Sequence, residues 1–252
     1  MDLGIENKTA LVTGAGKGIG RAIALGLAKE GVRVAVVSLE KSDLKDLVDE
    51  MGGEQKGHYA ISADLTQESA PRRIIDELNS EFGPLDILVN NLGGALNIKK
   101  PHCSIDEWRK IWRLNLEVAI ELNNLVIPHM EKKGWGRIVN ISSVSSKENQ
   151  GPVPYCTVKA GLNAYTRSMG RILSQKGITM NAVAPGAIYT KGGYWDKVDS
   201  RYSEKYIQER MAIKRFGAPE EISSVVLFLC SEQASFCVGS LFPADGGQGR
   251  FF

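Results

Sequence analysis

The sequence predicts a doubly wound α/β fold, a parallel sheet of about seven strands with helices on both faces. Three observations predict it. Short apolar runs rich in β-branched residues recur along the chain, amphipathic stretches alternate with them, and a glycine-rich turn joins the first run to the first amphipathic stretch. The 252 residues are 43% hydrophobic, enough for a large core that needs neither disulfides nor a structural metal.

The elements follow in order. Residues 9–13 (TALVT) form a continuous apolar run, the pattern of a strand buried on both faces. Ile19, Ile23 and Leu27 then make a helical stripe that stops at Gly31, a residue suited to a helix C-cap. Strands are predicted at 32–37 and, more weakly, at 59–62. Ile74, Ile75 and Leu78 mark a helix whose start holds Ser69 and Pro71. A strand at 85–89 precedes an unusually long helical stretch over 105–130. Strands at 137–141 and 178–184 bracket a helix at 162–173, and a helix at 222–229 leads to a last strand at 238–242. Strict alternation of this kind implies right-handed crossovers. Only residues 187–215, polar and aromatic, break the rhythm, which reads as a substrate-binding loop or lid. With no linker or repeat, residues 1–252 are read as one dinucleotide-binding and catalytic domain.

Charge and composition exclude several classes. A net charge of +2, from 31 basic and 29 acidic residues, argues against a nucleic-acid or anionic-membrane protein. The histidines 58, 102 and 129 and the cysteines 103, 156, 230 and 237 have no zinc spacing, so no metal is expected. The cysteines read as free thiols of a reducing compartment. No export signal opens the sequence and no apolar run approaches the roughly 20 residues of a membrane span, so a cytoplasmic protein is expected.

Thr13-Gly14-Ala15-Gly16-Lys17-Gly18-Ile19-Gly20 lies between the first strand and the first helix. That context fits a dinucleotide site, because a helix N-terminus offers free N–H groups and the positive end of its dipole to a pyrophosphate. The spacing differs from the common G-x-G-x-x-G and resembles the TGxxxGIG turn of the short-chain dehydrogenase/reductase family. Further motifs follow in family order: Asn90-Asn91-Leu92-Gly93, Asn115, Ile141-Ser142-Ser143-Val144, Tyr155-Cys156-Thr157-Val158-Lys159, Pro185-Gly186-Ala187-Ile188-Tyr189-Thr190 and Asp245-Gly246-Gly247. Each is weak alone; together they are specific. Within the family the pattern is closest to 3-oxoacyl-(acyl-carrier-protein) reductases.

The resemblance implies a Rossmann-type fold and an oxidoreductase that interconverts a carbonyl and a secondary alcohol. Tyr155 would be the proton donor or acceptor, Ser143 would polarise the carbonyl, Lys159 would lower the tyrosine pKa and hold the nicotinamide ribose, and Asn115 would support a proton relay. Tyr155 and Lys159 lie four residues apart and so share a helix face. An ammonium roughly 4 Å from the phenol, at an effective dielectric of ~20, is worth about 4 kcal/mol and would bring the phenol towards neutrality. Ser142 stays open as the alternative serine, since it lies thirteen residues before Tyr155 and Ser143 twelve.

Gly14, Lys17, Gly18, Ile19 and Gly20 are assigned to the cofactor, with Ser38 at the end of the second strand. The resemblance adds Asp64 and Leu65 at the adenine, Asn91 and Gly93 along the adenosine, and Pro185, Ile188 and Thr190 near the nicotinamide. Ser38 stands where an NAD enzyme normally carries an acid. Together with Lys17 it favours NADP(H), whereas Leu39 and Glu40 keep NAD(H) open. The substrate could be a 3-oxoacyl thioester, and Lys132, Lys133, Arg137 and Lys176 are candidates for docking an acidic carrier protein. Gly134, however, falls where those reductases place an arginine. The aromatic loop residues Tyr189, Tyr194, Trp195, Tyr202 and Tyr206 suit a sugar, a sugar nucleotide or another small cyclic alcohol equally well. Family members imply a homotetramer or homodimer, with the tail Arg250-Phe251-Phe252 a candidate to reach a neighbouring subunit. A non-catalytic nucleotide-binding regulator on the same fold is the reading of another class. A sugar-nucleotide epimerase or dehydratase would need a longer chain.

Overall fold

A computed structural model describes residues 2–148 and 150–250. Its centre is a seven-stranded parallel sheet in the order β3-β2-β1-β4-β5-β6-β7. The strands are β1 (Thr9–Thr13), β2 (Arg33–Ser38), β3 (Tyr59–Ser62), β4 (Ile87–Asn90), β5 (Gly136–Ile141), β6 (Ile178–Pro185) and β7 (Leu241–Ala244). β1 is buried at every position, as its unbroken apolar run requires. Alternate residues feed the two faces: Ala10 and Val12 pack into one core layer, Leu11 into the other.

The first layer holds α1 (Gly18–Lys29), α2 (Lys41–Met51) and α9 (Pro219–Cys230); the second holds α3 (Ala70–Glu81), α5 (Val118–Lys133) and the end of α6 (Val153–Leu173). Helix α2 has no counterpart among the sequence expectations. Charged residues dilute its hydropathy, yet Leu44, Leu47, Val48 and Met51 form a buried stripe at helical spacing.

The long helical stretch divides at a π-turn. α4 (Ile105–Trp112) starts at a capping box made by Ser104 and Glu107, and Arg113–Glu117 then winds one residue wider per turn before α5 begins. The last strand begins later than expected, at Leu241, because the chain turns at Gly239 in a left-handed conformation. The expectation of a loop over 187–215 is corrected. That segment contains α7 (Tyr194–Lys197) and α8 (Ser200–Arg210), with Asp199 accepting from the Arg201 and Tyr202 N–H groups as N-cap.

At the amino ends of the strands, Arg137 is buried and pairs with Glu232 at 3.1 Å, while Lys133 pairs with Asp86. Arg137, one of the four basic residues considered for carrier docking, is therefore enclosed in the fold and is removed from the expected patch, while Lys133 is paired but keeps 41% of its side chain exposed. Gly134 has a fold-level reason too: it closes α5 at φ +67°, a conformation an arginine would adopt only with strain. The thiols of Cys103, Cys156, Cys230 and Cys237 are free. Among the described residues there is no cluster of three potential metal ligands and no helix long and apolar enough to cross a membrane. The Phe251 and Phe252 of the expected tail contact lie outside the described residues.

Candidate active site

The order of the sheet reverses between β1 and β4, so the loops leaving these two strands part and open a crevice at the carboxyl end. A cavity of about 450 Å³ fills it. Its lining includes Gly14, Lys17, Gly18, Ile19, Gly20, Asn91, Gly93, Ser142, Ser143, Tyr155, Lys159, Pro185, Ile188 and Thr190. Segments far apart in sequence thus meet at one place.

Helix α1 enters this cavity by its N-terminus. Lys17 precedes it in an extended conformation, no side chain caps it, and its first turn carries no acid. Its first N–H groups and dipole remain available to an anion. Across the cavity, a Cβ on Gly93 would stand 2.7 Å from Asn115 Oδ1 and 2.9 Å from Lys159 Nζ. Only glycine lets the backbone pass this close to the buried polar pair. Anion-binding N–H groups at one end and a polar, glycine-floored recess at the other fit a dinucleotide.

Four expected residues do not line the cavity. Asn115 lies in the π-turn directly behind Gly93, exchanging hydrogen bonds of 2.9 Å with the Gly94 N–H and carbonyl and donating to the Ile111 carbonyl at 3.0 Å. Ser38 sits against Gly16, where a Cβ would come within 2.9 Å of its Oγ. Leu65 is buried in the core. Asp64 accepts from the Thr66 N–H, the Thr66 hydroxyl and Gln67, which hold its carboxyl below the usual range. Asn91 reaches the cavity mainly by its backbone, since its side-chain amide donates to the Thr13 and Gly14 carbonyls. Lys17 is exposed and pairs with Asp43 at 3.1 Å, a partner the sequence did not single out.

The two serines part company. Ser142 is buried, its N–H bonded to the Val183 carbonyl and its hydroxyl 3.5 Å from the Lys159 carbonyl oxygen. Ser143 precedes a short 3₁₀ turn, accepts from the Ser145 N–H at 3.1 Å, and sets its hydroxyl against the Tyr155 phenol. Burial pushes that phenol up, and the Ser143 bond opposes the rise. Lys159 is 2% exposed, donates to the Ile141 carbonyl at 2.7 Å and stands 5.7 Å from the centre of the Tyr155 ring. Desolvation lowers its pKa to about 7. The expectation of a phenol already drawn towards neutrality is therefore corrected for the protein by itself. Burial favours the neutral form of both groups.

Beyond Ser143 and Tyr155 a second cavity of about 990 Å³ opens. α7 and α8 wall it with Tyr194, Trp195, Tyr202 and Tyr206, and the Trp195 ring packs 4.4 Å from Tyr206 and 4.6 Å from Phe216. Sequence reasoning found these aromatics but missed two glutamines beside them. Gln248 accepts from the Ala187 N–H and donates to Gln150 Oε1 and to Tyr206 Oη, each at 2.7 Å.

Comparisons with known proteins show which family and fold the chain resembles. A family model described as Enoyl-(Acyl carrier protein) reductase matches residues 14–248. The chain is 36% identical over 251 residues to the 3-oxoacyl-[acyl-carrier-protein] reductase FabG of Aquifex aeolicus, covering 98% of this chain and all of that protein. Among solved structures, L-sorbose reductase from Gluconobacter frateurii, complexed with NADPH and L-sorbose, superposes with a TM-score of 0.91 at 30% identity over the full length of both chains. A 7α-hydroxysteroid dehydrogenase complexed with NADH and 7-oxo glycochenodeoxycholic acid gives 0.89 at 33% identity, over 99% of this chain and 97% of that one.

Proposed function

The chain belongs to the short-chain dehydrogenase/reductase family of oxidoreductases, and from that premise we propose that it interconverts a carbonyl and a secondary alcohol with NADP(H). What carries this reading is the meeting of Ser143, Tyr155 and Lys159 in one cavity with the open N-terminus of α1. NADP(H) is supported by the NADPH of the sorbose reductase, by Lys17 at the start of α1 and by the absence of an acid at Ser38. The NADH of the steroid dehydrogenase keeps NAD(H) as the second cofactor.

The residues that would hold the cofactor are the α1 N–H groups from Gly18 to Gly20, Lys17, Gly93, Lys159, Ile188 and Thr190. When bound, the nicotinamide supplies or accepts the hydride. Tyr155 Oη gives its proton to the carbonyl oxygen in reduction and takes it back in oxidation. Ser143 Oγ donates to the same oxygen and stabilises charge as it develops. Lys159, when charged, stabilises the phenolate left behind. Asn115 holds the backbone at Gly94 and through it the Gly93 recess that Lys159 faces, which supports a proton relay.

The names of the curated relatives favour a 3-oxoacyl thioester as substrate, while the solved neighbours act on a ketose and a steroid, so the comparisons leave the class open. The proposal includes one catalytic domain, a homotetramer or homodimer in solution, and a cytoplasmic location in keeping with four free thiols.

Tyr155→Phe tests the chemistry. Turnover of NADPH with any accepted ketone should fall by at least ~10³-fold, of the order expected for loss of a proton donor, while NADPH binding by fluorescence titration persists. Undiminished turnover would remove Tyr155 from the mechanism. A chain that binds NADPH and reduces no carbonyl would instead be the regulator.

A further inference from the structure

Taking the oxidoreductase reading as given, we infer that the substrate is a small polyhydroxylated carbonyl compound, and that Gln150, Tyr206 and Gln248 select it by its hydroxyl groups. These three side chains come from the segment before α6, from α8 and from the chain after β7, and meet in the wall of the 990 Å³ cavity that holds Ser143 and Tyr155. Gln248 is 4% exposed. The Ala187 N–H fixes its Oε1 as acceptor, so its Nε2 must face the other two. Gln150 Oε1 accepts from that Nε2, which turns the Gln150 amide nitrogen towards Glu148 Oε2 at 3.3 Å.

The cluster is therefore oriented, with hydrogen-bonding capacity to spare. Tyr206 Oη already accepts at 2.7 Å, and its own proton has only a long 3.3 Å contact to Gln150 Oε1. Gln150 Nε2 has a second proton. An alkyl or acyl chain laid here would strip water from these groups and give nothing back. Hydroxyls donate and accept in the same place. Trp195 and Tyr206 offer aromatic faces suited to the C–H side of such a molecule. The buried Ala187 N–H needs only the Gln248 Oε1; the amide nitrogen and its two partners go beyond that structural need.

The test is a comparison of kcat/KM with NADPH for two groups of ketones. One contains D-fructose, L-sorbose and 5-keto-D-gluconate; the other contains 2-hexanone and the N-acetylcysteamine thioester of acetoacetate. The best polyhydroxy ketone should exceed both members of the second group by at least 100-fold. In Gln150→Leu and Gln248→Leu that ratio should fall at least tenfold, mainly through KM, and Tyr206→Phe, which removes one oxygen and keeps the ring, should lower it in the same direction. Equal losses for both groups would mean a structural role only, and a wild-type preference for hexanone or the thioester would overturn the substrate class. Calorimetric titration of the polyhydroxy ketones into NADP-loaded Tyr155→Phe reads binding without turnover. Binding there, with no ketone of either group reduced by the wild type, would sink the oxidoreductase reading and leave the three side chains as selectors of a polyhydroxy ligand; absence of binding would sink this one.

Discussion

Lys159 holds a 2% exposed amine at the wall of the first cavity, bonded to the Ile141 carbonyl and facing the Gly93 backbone. Its pKa is about 7 in the folded protein against 10.5 for an ordinary lysine. A group whose folded value lies below its unfolded one subtracts stability wherever the unfolded chain takes up the proton first. That loss is complete below about pH 7 and fades as the pH rises towards 10.5. Lys159→Met should therefore raise the Tm at pH 6–7 by several degrees, removing a cost of a few kcal/mol, while turnover falls by at least ~10²-fold. The gain should shrink towards pH 10, and scanning calorimetry across that range checks it. The Tyr155–Lys159 pair was legible because four-residue spacing on a helix is a local property. Its protonation was not, because it depends on how deeply the fold buries both groups. Spacing left Ser142 and Ser143 open, whereas the chain turns one hydroxyl towards the α6 backbone and the other towards the phenol. Gln150 and Gln248 carry no pattern at all; 98 residues separate them, and only the closed fold makes them partners.

The elements most legible in the sequence were the strands with continuous apolar runs and the helices between them whose apolar residues stood out from few charges. Helix α2 hid behind its charged residues, and α8, with no buried residue of its own, had no stripe to display. The π-turn Arg113–Glu117 was equally invisible, since one extra residue in a turn leaves no mark in composition. It is held from outside. Arg113 donates from Nε to the Thr66 carbonyl at 3.0 Å and from a terminal nitrogen to the Gln67 carbonyl at 3.3 Å, and it engages Glu121 with both terminal nitrogens. The guanidinium is largely enclosed, so these charge-assisted bonds are screened little. Arg113→Ala should lower stability by about 2–3 kcal/mol, a Tm loss of roughly 4–10 °C for a chain of this size. An unchanged Tm would show that the π-turn stands without its clamp.

Over the whole molecule, every group assigned to chemistry lies at the carboxyl end of one sheet, where the strand order reverses. That much was legible early, because alternating runs and a glycine turn leave few topologies open. Ligand binding at such a place is coupled to global stability. NADPH at a hundred times its Kd should add about 2.7 kcal/mol, a rise of roughly 5–10 °C in Tm. NADH at the same concentration should give a smaller rise, and a larger one would reverse the cofactor assignment. Tyr194 and Trp195 border both cavities, as do Ser143 and Tyr155, so the short helix α7 and the reactive pair form a common rim. A dinucleotide held in the first cavity would form one side of the space open to the second reactant. Under the proposed reading, addition in a fixed order with the cofactor first is expected, and product-inhibition kinetics that fit random addition would overturn it.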